Sequence, residues 1–169
     1  LTDPDNKSIV EQLVVGNRLV KNEARIEPGR PIDLKAIRAP IIVFASHGYN
    51  ITPPQQALGW IVDLYQKDDD IRACAQTLVY AIHESIGHLG IFVSGGVAKK
   101  EHNEFATNMD MIDVLPPGLY EAVLRPAKAE ARAELAGGDW LVNFQSRGFA
   151  DLAQHGGTDP EDEERFAAV

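Results

Sequence analysis

The sequence predicts an α/β fold built on a parallel sheet, and three observations predict it. Two stretches, Ile41-Ile42-Val43-Phe44-Ala45-Ser46 and Thr77-Leu78-Val79-Tyr80-Ala81-Ile82, are continuously apolar rather than alternating, as strands covered on both faces are. Each runs into a polar, glycine-bearing turn, Ser46-His47-Gly48-Tyr49-Asn50 after the first and His83-Glu84-Ser85-Ile86-Gly87-His88-Leu89-Gly90 after the second. Between them Thr52-Pro53-Pro54-Gln55 opens a segment with Ala57, Leu58, Ile61, Leu64 and Tyr65 at helical spacing. Strand, helix and strand of these lengths make a right-handed crossover unit. Open parallel sheets carry their chemistry at the carboxyl ends of strands, so a site is expected at these two turns.

Composition bounds the rest. With 169 residues, 44% of them apolar, the chain can bury the core of one ordinary domain. A net charge of −9 and a pI near 4.9 exclude a nucleic-acid backbone or an anionic membrane as natural partners, which need clustered cations. One cysteine, Cys74, cannot form an internal disulfide, and no apolar run approaches the roughly 20 residues of a membrane span. A cytoplasmic location is expected. The chain starts Leu1-Thr2-Asp3-Pro4, with neither an initiator Met nor a signal segment, which suggests a piece of a longer polypeptide.

Taken in order, residues 6–22 place Ile9, Leu13, Gly16 and Val20 on one helical stripe, capped by Asp5 or Asn6, as a surface or lid helix. Glu27-Pro28-Gly29-Arg30-Pro31 breaks that pattern, and residues 32–40 lead into the first strand, with Pro40 at its mouth. The next helix begins with a capping box, Thr52 and Gln55, and Asp68-Asp69-Asp70 ends it as a solvated turn. After Gly95-Gly96 a third helix spans about 97–115, with Ala98, Phe105, Met109 and Ile112 on one face, closed by Pro116-Pro117-Gly118. Residues 119–124 and 140–145 then alternate like half-buried antiparallel strands, separated by an Ala/Glu-rich insert at 127–136. The acidic tail from Thr158 reads as the start of a helix.

His88 stands out chemically. It sits between glycines in Gly87-His88-Leu89-Gly90, where small neighbours let an imidazole stand at a turn. A general base is presented in this way, and so is a structural histidine bonding its own loop. Three other constellations are weaker. His83 and His88 flank Glu84 as in zinc proteases, but histidines five apart diverge by roughly 140° on a helix. Phe44-Ala45-Ser46-His47-Gly48 approximates a nucleophile elbow, but Phe44 is too large for it. Cys74 among Arg72, Ala73 and Ala75 fits a packed, inert thiol. No metal or cofactor is expected.

Together the runs Ile32 through Pro40, the strand Ile41 through Ser46, Gly48-Tyr49-Asn50-Ile51-Thr52-Pro53-Pro54, Glu84 through Gly95, Asn103-Glu104-Phe105, Leu115 through Ala122, Gly137-Gly138-Asp139 and Phe166 through Val169 resemble the C-terminal part of the α/β-hydrolase fold. The likeness is to bacterial proteins of the 3-hydroxyalkanoate synthetase-like group, distant relatives of polyhydroxyalkanoate synthases, and it covers nearly the whole chain. It implies that His88 is the triad histidine and that the acid falls at Tyr49. A phenol, ordinarily ionising near ~10, could orient an imidazole but would scarcely stabilise an imidazolium. The family's nucleophile, a Cys or Ser on a Gly-x-Cys-x-Gly type elbow, has no counterpart here, so the resemblance places it in a missing N-terminal part and makes this piece inactive alone.

The expected architecture is therefore a lid or lead-in region at 1–38, a C-terminal α/β-hydrolase-like unit at 39–117 with parallel strands and crossover helices, and a small appended α+β module at 118–169. Two functions fit. One is acyl transfer or ester and thioester hydrolysis on hydroxyacyl or polyester substrates by the parent, and the other is a non-catalytic hydrolase-like scaffold that binds a ligand or protein partner. A truncated parallel sheet exposes a strand edge, so self-association through that edge is also expected.

Overall fold

A computed structural model of the chain describes residues 18–27, 29–47, 53–83, 106–126 and 140–155. The expected helix stripe at 6–17, the turn residues 48–50 and 84–90, the helix over 97–105, the insert at 127–136 and the acidic tail lie outside them.

The described residues form an α/β structure on one four-stranded, mostly parallel sheet. Its order is β3 (Ile41–Ser46), β4 (Thr77–His83), β5 (Gly118–Pro126) and β6 (Trp140–Arg147). The first three strands are parallel, and β6 returns antiparallel to β5. The segments with alternating apolar residues do pair with each other antiparallel, and β5 also continues the same sheet beside β4. A separate small hairpin, β1 (Arg25–Glu27) and β2 (Arg30–Pro31), occupies the stretch that breaks the first pattern. Gly29 at φ +86° supplies the left-handed residue that its turn requires.

Among the described residues the helices α1 (Pro54–Tyr65), α2 (Asp68–Ala73), α3 (Met109–Asp113) and α4 (Phe149–Ala153) cover the sheet. On one face Leu58, Ile61, Leu64 and Tyr65 of α1, Ile71 of α2 and Leu152 of α4 pack on Leu78, Tyr80 and Leu119. On the other, Ile112 of α3 packs on Val79, Ala81 and Ala122. Because β4 meets apolar side chains on both sides, its residues 77–81 are all buried, which is why its run does not alternate. Each fully buried large side chain there contributes about 1.5–3 kcal/mol relative to exposure. β3 ends the sheet among the described residues, and Ile41 through Phe44 are only half-buried.

Several helix boundaries differ from the sequence expectation. Pro53, rather than Thr52, caps α1, and no side-chain bond closes that cap; fixed proline dihedrals start the helix instead. Asp68-Asp69-Asp70 does not end a helix but forms the first turn of α2, where carboxylates complement the partial positive charge of exposed N–H groups. Met109, expected on one helical face with Ile112, is 41% exposed, because the short α3 turns only Ile112 fully inward.

The lead-in before β3 is tied to the segment before β4. Asp33 caps a 3-10 turn at Leu34–Ala36 by accepting from the Lys35 N–H at 2.9 Å. Arg38 donates to the Cys74 carbonyl at 3.0 Å, and the fully buried Gln76 donates to the Ala39 carbonyl at 3.0 Å. These bonds fix where β3 and β4 begin, and hence that they finish level at the carboxyl rim.

Candidate functional site

β3 and β4 run side by side in full register, with Ser46 opposite His83. One residue on, the His47 N–H donates to the His83 carbonyl at 2.9 Å, so the pairing persists one residue past the end of β3. In the sequence Tyr49 follows three residues after Ser46, and His88 five after His83. Both lie outside the described residues. Ser46 itself is fully buried, whereas an elbow nucleophile must stand exposed at the strand end. His83 closes a strand rather than opening a helix, which removes the helical face that the zinc-protease spacing needs. Among the described residues no group of three or more His, Cys, Asp or Glu could hold a metal ion. Cys74 is a half-buried cap residue of α2.

Beneath this rim, on the face covered by α1 and α4, a polar row crosses three strands. Tyr80 stands opposite Glu121, and Glu121 opposite Gln145. Arg147, two residues along β6 on the same face, donates Nε to Glu121 Oε2 at 2.8 Å and Nη2 to Gln145 Oε1 at 2.6 Å. Its Nη2 also lies 2.7 Å from Glu121 Oε2, which completes a part-buried ion pair. Tyr80 is fully buried, and its hydroxyl meets no hydrogen-bonding partner among the described residues. Burial foremost, then the Glu121 carboxylate, pushes the phenol up to about 12, against the opposing pull of Arg147.

Helix α4 brings a fourth element to the row. Asp68 at the start of α2 accepts from the Phe149 N–H at 2.9 Å, and Asp151 accepts from the Gly148 N–H at 2.8 Å, so the first turn of α4 is held from two sides. Two residues past its end, the His155 ring meets Tyr80 edge-on, with centroids 5.9 Å apart. It also lies 6.2 Å from the ring of His47 at the rim. Burial chiefly, then His47 and Arg147, holds the His155 imidazole below the ordinary histidine range, while Glu121 and Asp151 oppose. At neutral pH it is an uncharged ring able to accept a proton.

The rim thus joins the end of β3, through His47 and His155, to a buried phenol and an ion pair. Sequence reasoning missed His155, Glu121 and Arg147 as site residues. A signal was present: Glu121, Gln145 and Arg147 share the strand parity of Leu119, which faces the core, and polar residues at core parity are informative.

Residues 1–169 match the family model described as "Protein of unknown function (DUF3141)". The chain is 55% identical over 162 residues to the "Uncharacterized protein in ackA 5'region" of Rhizobium meliloti, a match that takes in 95% of this chain and 22% of that protein. The chain therefore spans about a fifth of the length of this curated relative. No solved structure matches it.

Proposed function

For this chain, which belongs to the DUF3141 family of proteins of unknown function, we propose the His side of a site in a longer α/β-hydrolase-like protein that performs acyl transfer or ester or thioester hydrolysis on hydroxyacyl substrates. The sequence likeness to hydroxyalkanoate synthetase-like proteins suggests the chemistry. One structural observation carries the reading: two neighbouring parallel strands end level, held by the His47 to His83 bond, and the next residues of each contain Tyr49 and His88. In this reading His88 takes a proton from a nucleophile supplied by another part of the polypeptide, and Tyr49 orients the imidazole. Alone, the 169 residues turn nothing over.

The test is an assay of the full-length protein with hydroxyacyl thioesters and short esters. Activity lost by about 10³-fold or more in His88→Gln, and raised in Tyr49→Asp, is the expected result. Turnover unaffected by His88→Gln overturns the assignment. A second reading, a scaffold that binds without reacting, is favoured by one residue: Tyr49 replaces the acid that the resemblance implies. Its signature is ligand binding with no turnover in either the natural protein or Tyr49→Asp.

A further inference from the structure

The two faces of the sheet are not covered alike. Helices α1, α2 and α4 pack on one, whereas among the described residues only the five-residue α3 and the Leu115 that follows it pack on the other. At the margins of that second face Ile42 and Phe44 of β3 and Val142 and Phe144 of β6 stay half-buried. The sequence of α3 and its exit, Met109-Asp110-Met111-Ile112-Asp113-Val114-Leu115, is apolar at five of seven positions. Ile112 enters the core, but Met111 is 52% and Val114 78% exposed, and Met109 flanks them in solvent. At ~100° per residue Val114 stands roughly opposite Ile112, so apolar groups run from the sheet side of this turn to its outer side. A helix apolar on both sides belongs between two layers, and methionine is enriched at interfaces.

We propose that the outer side of α3 is a docking surface for another part of the longer polypeptide: an amphipathic element that lays its apolar side over Met109, Met111 and Val114 and sets Lys or Arg beside Asp110 and Asp113. Two observations select that occupant. The match covers 22% of the Rhizobium meliloti relative, so about four-fifths of that polypeptide lies outside it and holds ample chain for a covering layer. Asp110 and Asp113 stand exposed among the apolar side chains. A second copy pairing through the same patch would set these carboxylates against their own equivalents, in a chain already at −9. The surface is also anchored. The Thr77 hydroxyl donates to the Leu115 carbonyl at 3.4 Å, and the Tyr120 hydroxyl to the Pro116 carbonyl at 2.9 Å, which ties the exit of α3 to β4 and β5. The docking stands whether or not the rim performs acyl chemistry.

Photo-crosslinking of the full-length protein reads the contact. Val114→p-benzoylphenylalanine changes a side chain that stands mostly in solvent, so the core is untouched. Irradiation should join position 114 to a residue outside the 169, within one polypeptide and with a yield independent of protein concentration, as located by mass spectrometry of the peptides. Cross-links that join two copies, that stay within the 169 residues, or that do not form overturn the proposal. Peroxide oxidation gives an independent reading. Met109 and Met111 should form sulfoxide several-fold more slowly in the natural full-length protein than in Val114→Asp, which puts a charge into the covered patch. Equal rates in the two also overturn it.

Discussion

The Asp68 carboxylate accepts the N–H of Phe149 at 2.9 Å, joining the first residues of two helices that lie 81 positions apart in sequence. A charge-assisted bond to an otherwise orphaned helix N–H is worth about 1–2 kcal/mol. Asp68→Asn should lower unfolding stability by that amount in urea titration of the full-length protein. Asp69→Asn should change it little, because the Asp69 to Arg72 pair stands in solvent.

Gly148 precedes α4, and its backbone is in an extended conformation that any residue adopts. Space, not φ, demands glycine: a Cβ there would lie 2.8 Å from Asp68 Oδ2. Gly148→Ala should therefore displace the Asp68 carboxylate and destabilise by about 1 kcal/mol or more. In an Asp68→Ala background the same change should be nearly neutral. Additive losses in that double-mutant cycle would show that the crowding lies elsewhere.

Tyr80 carries a fully buried hydroxyl with no hydrogen-bonding partner placed against it among the described residues. Tyr80→Phe should leave stability unchanged or raise it by up to about 1 kcal/mol. Tyr80→Leu, which removes the ring against which His155 packs, should instead destabilise by about 1–3 kcal/mol. Equal losses for both in thermal unfolding would mean that the hydroxyl is bonded after all.

What was legible in the sequence divides by range. Continuous apolar runs at 41–46 and 77–82 do form adjacent parallel strands, because burial on both faces leaves its mark in every residue of a strand. The alternating runs around Leu119 and Trp140 pair antiparallel for the complementary reason. The aspartate triplet misled: three acidic residues read as a solvated turn, but the same charges suit the opening turn of α2. The row from Tyr80 through Glu121 to Arg147 was hidden because it depends on the register between strands about 40 and 25 residues apart, which no local pattern encodes. His155 was hidden for a related reason. Its place is set by Asp68, through a bond between residues 81 positions apart.

Glu121 and Arg147 form a part-buried ion pair, and Arg147 also donates to Gln145. Glu121→Gln should cost about 1–3 kcal/mol because the guanidinium keeps its partly dehydrated position without its counter-charge. Arg147→Met should cost a similar amount. The double variant should lose clearly less than the sum, and coupling below about 0.5 kcal/mol in chemical denaturation would refute the pairing.

Alkaline pH tests the interior through its tyrosines. The chain has four, and two of them, Tyr65 and Tyr80, are pushed up to about 12, in each case chiefly by burial. The Asp33 carboxylate near Tyr65 and the Glu121 and Asp151 carboxylates near Tyr80 add to this. The unfolded chain releases these protons near ~10, so above that pH the unfolded state binds fewer protons than the folded one and stability falls. The contribution is whole below about pH 10 and disappears as pH rises toward about 12, at up to roughly 1.4 kcal/mol per pH unit for each phenol. Ultraviolet absorbance of phenolate should show these two groups ionising together with unfolding rather than before it. Tyr80→Phe should halve the steepness of the stability decline, and a variant that declines as steeply as the natural protein would place the buried phenol's proton affinity at its ordinary value.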